Sequence, residues 1–479
     1  MQAKSRQFRE SAKVALLDED LRTAMSRAEG GFVDTRRAAV EELENFQEYR
    51  EFARETKNHV LGHLDHYLCL FEKNATASGG RVHWAANGED VNRIVLDICN
   101  RPGIGKITKG KSMVSEESGL NAALESGGHQ VVETDLGEYI IQLAQETPSH
   151  IIAPAVHKTK QAVTDLFEEF HNEAGYPKVV EHGDIVNQAR QVLRDHFCTA
   201  DVGITGGNFL VAETGSVAII TNEGNGDLTA TLPDIHIVVT SIEKVIPDLQ
   251  SLGGFLRLLG RSATGQVMSV YTTLFNGPRR AGDLDGPTEF HVVLVDNGRS
   301  GVLGTRHQDI LRCIKCGACM NHCPVYTSVG GHAYGWVYPG PMGSVVTPLL
   351  IGRKNAPDLP YACTLNGRCK TVCPVMIPLP ELLREHRNNL VEMGETGIVH
   401  RLGMWAWYRV ARRPALYRLA TRLYVLKLNL IARLGSPFRR GSFRSIPFAG
   451  GWTRTRDFPV PQATTFQAQW RKRGRRGRS

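Results

Sequence analysis

The segment Cys313-Ile-Lys-Cys316-Gly-Ala-Cys319-Met-Asn-His-Cys323-Pro324 has the spacing C-x2-C-x2-C-x3-C-P. In iron–sulfur proteins with two clusters, the first three cysteines of this pattern bind one cluster and the fourth binds the other. Gly317 lets the backbone approach the sulfurs, and Pro324 fixes the direction of the chain after the fourth cysteine. The segment therefore predicts a compact iron–sulfur domain around residues 303–385.

A second segment repeats the spacing with one change. Cys363-Thr-Leu-Asn366-Gly-Arg-Cys369-Lys-Thr-Val-Cys373-Pro374 has Asn366 where the second cysteine is expected. Exchange of the fourth ligands predicts two ligand sets. The first cluster should bind Cys313, Cys316, Cys319 and Cys373, and the second should bind Cys323, Cys363 and Cys369. We expect a 4Fe-4S cluster at the first site.

The second site leaves several interpretations open. With three thiolates it could hold a 3Fe-4S cluster, or a 4Fe-4S cluster whose fourth iron binds Asn366, water or a substrate. An open iron of this kind can do chemistry, but a tolerated substitution is the simpler interpretation. Structural zinc is the competing metal, yet zinc sites favour four ligands in paired C-x2-C hooks, which neither segment resembles.

Composition places the chain among globular proteins with more than one domain. It has 479 residues, of which 42% are hydrophobic and 22% charged. Seven of the ten cysteines lie between Cys313 and Cys373, whereas Cys69, Cys99 and Cys198 are isolated and are expected to be small buried residues. No secretory signal and no apolar run long enough for a membrane span is seen, so we expect a cytoplasmic protein without disulfides.

The positive charge is concentrated at the C-terminal end. Residues 396–479 contain 19 Lys and Arg, with Asp457 as the one acid, whereas the preceding part has 38 basic and 48 acidic residues. Aromatic and leucine side chains interleave with arginines over 396–444. Three interpretations remain: a helix packed on the acidic body, a docking surface for an acidic partner, or peripheral contact with anionic lipid. No nucleic-acid-reading motif is present, so nucleic acid is not expected.

Periodicity predicts four regions: N-terminal helices over 1–70, an α/β domain over 71–300, the cysteine domain over 303–385, and a basic helical region over 386–479 with a mobile tail. Alternating helix and strand patterns predict a largely parallel sheet in the α/β domain. The predicted strands are Lys106–Thr108, Gln130–Glu133, Ser149–Pro154, Asn208–Ala212, Ser216–Thr221, Ile235–Thr240 and His291–Val295.

Two glycine motifs in the α/β domain resemble nucleotide-binding loops but are not expected to bind nucleotides. Residues 105–112 match the phosphate-loop formula G-x4-G-K-S, but the predicted strand lies inside the supposed loop, so we expect a surface turn whose Ser112 caps a helix. Residues 203–208 lack dinucleotide spacing and predict a strand-entry turn. The polar turns at 212–216 and 221–226 are placed where α/β sheets bind ligands, although solvated turns are equally compatible with the pattern.

Several long segments resemble the iron–sulfur protein B family of bacterial L-lactate utilisation. They are HLDHYLCLFEKN, KSMVSEESGLN, VVETDLGEYIIQLAQETPSHIIAPAVHKT, GITGGNFLVAETGSVAIITNEGN and CIKCGACMNHCPVYTSVGGHAYGWVYPGPMG. The resemblance implies a LUD-type α/β domain similar to CoA transferases and ribose-5-phosphate isomerases, followed by a mainly helical two-cluster ferredoxin-like domain. It also implies cysteine-rich and small LUD-type partner subunits. Asn366 departs from the Leu-Cys-Gly expected in relatives.

Three functions compete at this point. The first is an electron-transfer subunit of a system that oxidises L-lactate to pyruvate. The second is a self-sufficient α/β enzyme that acts on a hydroxy acid or CoA ester with an open-iron cluster. The third is a non-catalytic cluster sensor or scaffold. No catalytic residue is predicted, although analogy with CoA transferases draws attention to Glu213.

Overall fold

The computed structural model describes residues 3–172, 175–434, 441–446, 450–453, 455–462 and 464–476. The chain forms two compact units, Met1–Glu392 and Met393–Ser479. The N-terminal helices, the α/β region and both cysteine segments all lie in the first unit.

A six-stranded, entirely parallel sheet forms the centre of the α/β region, in the order β1-β10-β7-β4-β2-β3. This confirms the predicted parallel sheet. Its strands are β1 Arg81–Ala85, β2 Lys106–Lys109, β3 Gln130–Glu133, β4 Val202–Thr205, β7 Ile235–Ser241 and β10 Glu289–Val295.

A second sheet of four strands, in the order β8-β5-β6-β9, packs beside the first. Two of its pairings are antiparallel, so the predicted strands at 208–212 and 216–221 form a hairpin outside the parallel sheet. Its strands are β5 Phe209–Val211, β6 Ser216–Thr221, β8 Val245–Ile246 and β9 Tyr271–Phe275.

The helices of the first unit cover the sheets and surround the cysteines. They are α1 Phe8–Ala15, α2 Glu19–Glu41, α3 Phe46–Gly62, α4 Leu64–Ala77, α5 Gly88–Cys99, α6 Met113–Ser118, α7 Leu120–Ser126, α8 Leu136–Leu143, α9 Lys160–His171, α10 His182–Cys198, α11 Asn225–Thr231, α12 Leu249–Ala263, α13 Ala318–Asn321, α14 Pro324–Val329, α15 Gly340–Leu350, α16 Arg368–Val372 and α17 Leu379–Glu392.

The central strands are apolar on both faces because helices cover both sides of the parallel sheet. Every residue of β7 is buried, and its side chains divide between two core clusters. Ile237 and Val239 pack with Val95 on α5, whereas Val238 packs with Phe71 on α4. Such a rigid sheet holds the loops at its strand ends in fixed positions.

The N-terminal helices share a core with the cysteine segments rather than forming a separate layer. Phe8 and Met25 belong to the same cluster of buried side chains as Tyr326, Tyr334 and Val372. The Phe8 and Tyr334 ring centroids are 5.2 Å apart. The cysteine region therefore obtains much of its apolar cover from residues about 300 positions earlier in the chain.

The strand predicted at Ser149–Pro154 is wrong, because this segment forms bends. Its polar groups bond to the cysteine region instead of a neighbouring strand. The Tyr326 hydroxyl donates to the Ser149 carbonyl at 2.8 Å, and the buried His150 ring bonds Asn321 at 2.9 Å. The His150 Nδ1 atom accepts two backbone N–H groups, so its Nε2 donates to the Asn321 oxygen.

The second unit is helical, with a short strand pair. Its elements are α18 Ile398–Ala411, α19 Pro414–Leu434, β11 Ser442–Phe443, α20 Gly450–Thr453, β12 Phe458–Pro459 and α21 Phe466–Arg476. Residues 477–479 of the predicted mobile tail lie outside the described residues. So do Arg439 and Arg440, two arginines of the basic stretch over 396–444. Among the described helices, none has the length and apolar character needed to cross a bilayer.

Candidate iron–sulfur centre and adjoining cavity

The two cysteine loops have the same backbone conformation. Lys315 and Leu365, each two residues after the first cysteine of its loop, have φ angles of 56° and 57°. Gly317 and Gly367 follow with φ angles of 74° and 83°. Left-handed conformations are costly for non-glycine residues, so their repetition marks a specific loop shape. The loop with Asn366 keeps this shape although it lacks one cysteine.

Backbone N–H groups point at sulfur in both loops. The N–H groups of Lys315 and Leu365 donate to the Sγ atoms of Cys313 and Cys363, each at 3.3 Å. The Ile377 N–H donates to the Cys373 Sγ atom, also at 3.3 Å. Such donors favour the thiolate form of cysteine, which is the form that binds metal.

Four of the predicted ligands converge on one small cavity. Cys313, Cys316, Cys319 and Cys373 all line it. Burial, followed by the neighbouring thiols of Cys373 and Cys313, raises the pKa of Cys316 to about 12. The structure thus places Cys373 of the second segment with the first three cysteines of the other segment.

The remaining three predicted ligands form a second group. Burial, followed by the neighbouring thiols of Cys363 and Cys323, raises the pKa of Cys369 to about 12. Cys323 comes from the first segment, so the fourth cysteine of each segment lies with the other segment. The isolated Cys69, Cys99 and Cys198 belong to neither group, and Cys69 and Cys198 are exposed, contrary to the expectation for them.

The chemistry of both groups fits iron. Buried thiols that raise one another's pKa need a cation to become thiolates, and iron supplies that charge while accepting soft sulfur donors. Gly317 lets the first cysteine loop pack closely against the 149–154 segment, since an added Cβ atom would lie 2.7 Å from Ile152 Cδ1. The arrangement is suited to holding iron–sulfur clusters in a largely dry core.

Asn366 is exposed, and its side chain is used within its own loop. Its Oδ1 atom accepts the backbone N–H of Arg368 at 3.1 Å. Such a bond to the backbone two residues ahead is common for asparagine in turns. The second group therefore has three thiols, with a turn-forming side chain at the fourth position of the pattern.

Two arginines near the thiols were not found by sequence reasoning. Arg36 on α2 donates to the Val372 carbonyl at 2.8 Å, and Arg50 on α3 donates to the Cys373 carbonyl at 2.9 Å. Both lie close enough to the thiols for their charges to interact with Cys373. No local pattern marks these residues, because their partners are more than 300 residues away.

A buried ion network joins the α/β region to the first cysteine loop. Arg299 forms two bonds to Glu117, at 2.7 and 2.8 Å, and an ion pair with Glu243 at 3.1 Å. The Tyr338 hydroxyl donates to Glu117 at 2.6 Å and accepts from the Lys315 ammonium at 3.0 Å. Lys315, which lies between Cys313 and Cys316 in the chain, is thereby linked to the α/β region through Tyr338 and Glu117.

A larger cavity opens at the carboxyl ends of β2, β4 and β7. It is lined by Gly110–Ser112 after β2, Gly206–Asn208 after β4 and Lys244 after β7, and it reaches 314–316 of the cysteine loop. Ligands bind at this end of α/β sheets because strand-end loops from several strands meet there. The cavity therefore brings a sheet-edge pocket next to the first group of thiols.

The structure refines the interpretation of both glycine motifs. Residues 106–109 form β2 and Ser112 caps α6, as expected, but the turn between them borders the cavity rather than lying on the surface. Residues 202–205 form β4 and β5 begins at Phe209, so the turn at 206–208 enters a strand as predicted, and the start of the second motif lies in the preceding strand. Glu213 is exposed, accepts the Leu249 N–H at 3.2 Å, and is not among the residues that line the cavity.

Three family models match successive parts of the chain. Residues 68–295 match the LUD domain, residues 309–377 match a 4Fe-4S dicluster domain, and residues 384–475 match the C-terminal region of lactate utilisation protein B. The chain is thus similar to an iron–sulfur protein along most of its length.

Full-length relatives give the same result. Lactate utilization protein B of Lysinibacillus sphaericus (strain C3-41) is 41% identical, with 100% of this chain and 99% of that protein covered. The proteins of that name from Bacillus licheniformis and Bacillus subtilis (strain 168) are each 42% identical, with 98% and 96% of this chain covered, and 97% and 95% of the respective relatives.

One solved structure also aligns. The crystal structure of a DUF162 family protein from Deinococcus radiodurans matches with a TM-score of 0.28 and 12% identity, covering 48% of this chain and 98% of that one. This similarity is too low to assign a fold.

Proposed function

The chain belongs to the lactate utilisation protein B family, and from this we propose that it is the iron–sulfur electron-transfer subunit of a multi-subunit system that oxidises L-lactate to pyruvate. The observation that carries the proposal is the pair of thiol groups, built from exchanged cysteines in one packed core. Oxidation of lactate to pyruvate removes two electrons. Two one-electron sites in one subunit match that number.

We assign Cys313, Cys316, Cys319 and Cys373 as ligands of a 4Fe-4S cluster, and Cys323, Cys363 and Cys369 as ligands of a second cluster, 4Fe-4S or 3Fe-4S. Bound clusters of these types supply reversible one-electron transfer. The chain's own residues hold the thiolates in place, exclude water from them and direct N–H groups at sulfur. Arg36 and Arg50 add positive charge beside Cys373. Positive charge stabilises the reduced form of a cluster, because that form carries one more negative charge than the oxidised form.

The test of this proposal is EPR spectroscopy on anaerobically purified protein, before and after dithionite, with iron and sulfide counted. We expect about seven to eight irons per chain and signals that change on reduction. Protein that contains zinc, gives no EPR signal and cannot be reconstituted with iron would contradict the cluster assignment. Normal growth on L-lactate as sole carbon source by a strain lacking this protein would contradict the pathway assignment.

The exposed surface of α18 supports a role in contacts with other components. Trp405, Trp407 and Tyr408 are each more than half exposed, and the Arg409 and Arg412 guanidinium groups stack on the first and last of these rings. In this proposal the second unit docks on the cysteine-rich and small LUD-type subunits of the system. Anionic lipid is a second candidate, because aromatic and arginine side chains together suit a membrane interface.

The lipid version predicts that the full chain co-sediments with vesicles containing phosphatidylserine and is released by salt. The double variant Trp405→Ala, Trp407→Ala should remain in the supernatant, because it loses the apolar part of the contact. Arg93→Gln, which removes an exposed arginine of α5, is the control. Equal sedimentation of all three proteins, or of none, would contradict lipid contact.

A further inference from the structure

Lys244 is a buried lysine in the wall of the larger cavity. Lys244 lies three residues beyond β7 and is 6% exposed. Among the described residues, none accepts a hydrogen bond from its ammonium group, which interacts with Glu243 and the Cys313 thiol through charge alone. A buried cation without a hydrogen-bond acceptor is costly, so its presence at a cavity points to an anion that binds there.

The nearest acid is already engaged by other groups. One oxygen of the Glu243 carboxylate accepts from the Ser241 hydroxyl at 2.8 Å, and the other pairs with Arg299 at 3.1 Å. Lys57 donates to the Glu243 backbone carbonyl, so it adds a further buried cation to this region. The carboxylates of Glu117 and Glu243 together face four cations, Arg299, Lys315, Lys57 and Lys244, so positive charge is in excess among the described side chains at this side of the cavity.

The rest of the wall limits the charge of the ligand. Asp135 and the exposed Glu223 also line the cavity, and their carboxylates would repel a ligand with two negative charges. The Asn208 oxygen accepts the Ile220 N–H at 2.9 Å, which leaves its amide NH2 group as a donor. Lys111 also lines the cavity, although its ammonium group donates to the Ile152 carbonyl.

We propose that this cavity binds a small monocarboxylate of the 2-hydroxy- or 2-oxo-acid class. Its carboxylate lies against Lys244, and its 2-hydroxyl or 2-oxo oxygen lies among the other polar groups of the cavity wall. The inference rests on the proposed function for the class of acid, and on Lys244 for the site. Because the cavity reaches the loop that contains Cys316, the bound acid lies beside the first group of thiols.

Isothermal titration of the full chain, reconstituted with iron and sulfide under anaerobic conditions, tests this site with L-lactate and pyruvate. We expect one of the two acids to bind, and Lys244→Met to weaken binding by at least about tenfold, the loss that corresponds to about 1.4 kcal/mol. Lys244→Arg should retain part of the affinity. The matched control is Lys106→Met, because the Lys106 ammonium bonds Thr199 and does not line the cavity.

Binding of neither acid to the wild-type chain would overturn the site, as would unchanged affinity in Lys244→Met. Tighter binding of inorganic phosphate than of either acid would overturn the ligand class. A changed reduction potential in Lys244→Met with unchanged affinity would also overturn the proposal, and would identify the first cluster as the counter-ion of Lys244. Lys244→Gln provides the same comparison if the methionine variant fails to fold.

The EPR spectrum of the same samples separates this inference from the proposed function. Reducible clusters without acid binding would leave electron transfer intact and remove the cavity site. Acid binding by a chain that cannot be loaded with iron would support the cavity site and contradict the cluster assignment.

Discussion

Cys316→Ser and Cys323→Ser are expected to remove different clusters, although both residues lie in one segment of eleven positions, 313–323. Cys316 lies with Cys313 and Cys373, whereas Cys323 lies with Cys363 and Cys369. A serine hydroxyl is a poor replacement for a buried thiolate ligand. We therefore expect each variant to lose about half of its iron and to fail to support growth on L-lactate.

The spectra identify which cluster is lost. Cys316→Ser should retain the signal of the three-cysteine site, and Cys323→Ser should retain only that of the four-cysteine site. Cys99→Ser is the matched control, because Cys99 is also buried but lies in neither thiol group. If both variants lost the same cluster, the exchange of fourth ligands would be wrong. Full iron content in either variant would exclude that cysteine as a ligand.

Asn366→Cys is expected to give the second site a fourth thiolate and to stabilise a complete 4Fe-4S cluster. In the wild-type chain this position is exposed and its side chain bonds the Arg368 N–H. We expect air-exposed wild-type protein to hold about seven irons and to show the EPR signal of an oxidised 3Fe-4S cluster. The variant should hold about eight and lack that signal, because the loop already has the conformation of its cysteine-containing counterpart.

Asn366→Ser is the control, since it removes the amide without adding a soft ligand and should behave like the wild type. Retention of about eight irons by the air-exposed wild-type chain would contradict an open site. The variant also separates two functions. An electron-transfer subunit should keep its activity in Asn366→Cys, whereas an enzyme that uses the open iron as its catalytic centre should lose it.

Local pattern was sufficient for much of the fold. The predicted strands at Gln130–Glu133 and Ser216–Thr221 match the structure residue for residue, because apolar runs bounded by glycine and polar residues have few alternatives. The prediction of a strand at Ser149–Pro154 failed, although it relied on the same kind of local pattern. Its run of apolar residues resembles a strand, but its hydrogen bonds go to residues such as Tyr326 that lie far along the chain.

The sequence by itself determined the kind of site, since the cysteine spacing reflects how a short loop wraps one group of metal ligands. It also identified the family and the departure at Asn366. Only the tertiary structure decided what surrounds the site: Arg36 and Arg50 beside Cys373, and the buried Lys244 in the wall of the cavity that reaches Cys316. Ligand spacing is a local property of the chain, whereas burial and charge balance depend on residues that meet only after folding.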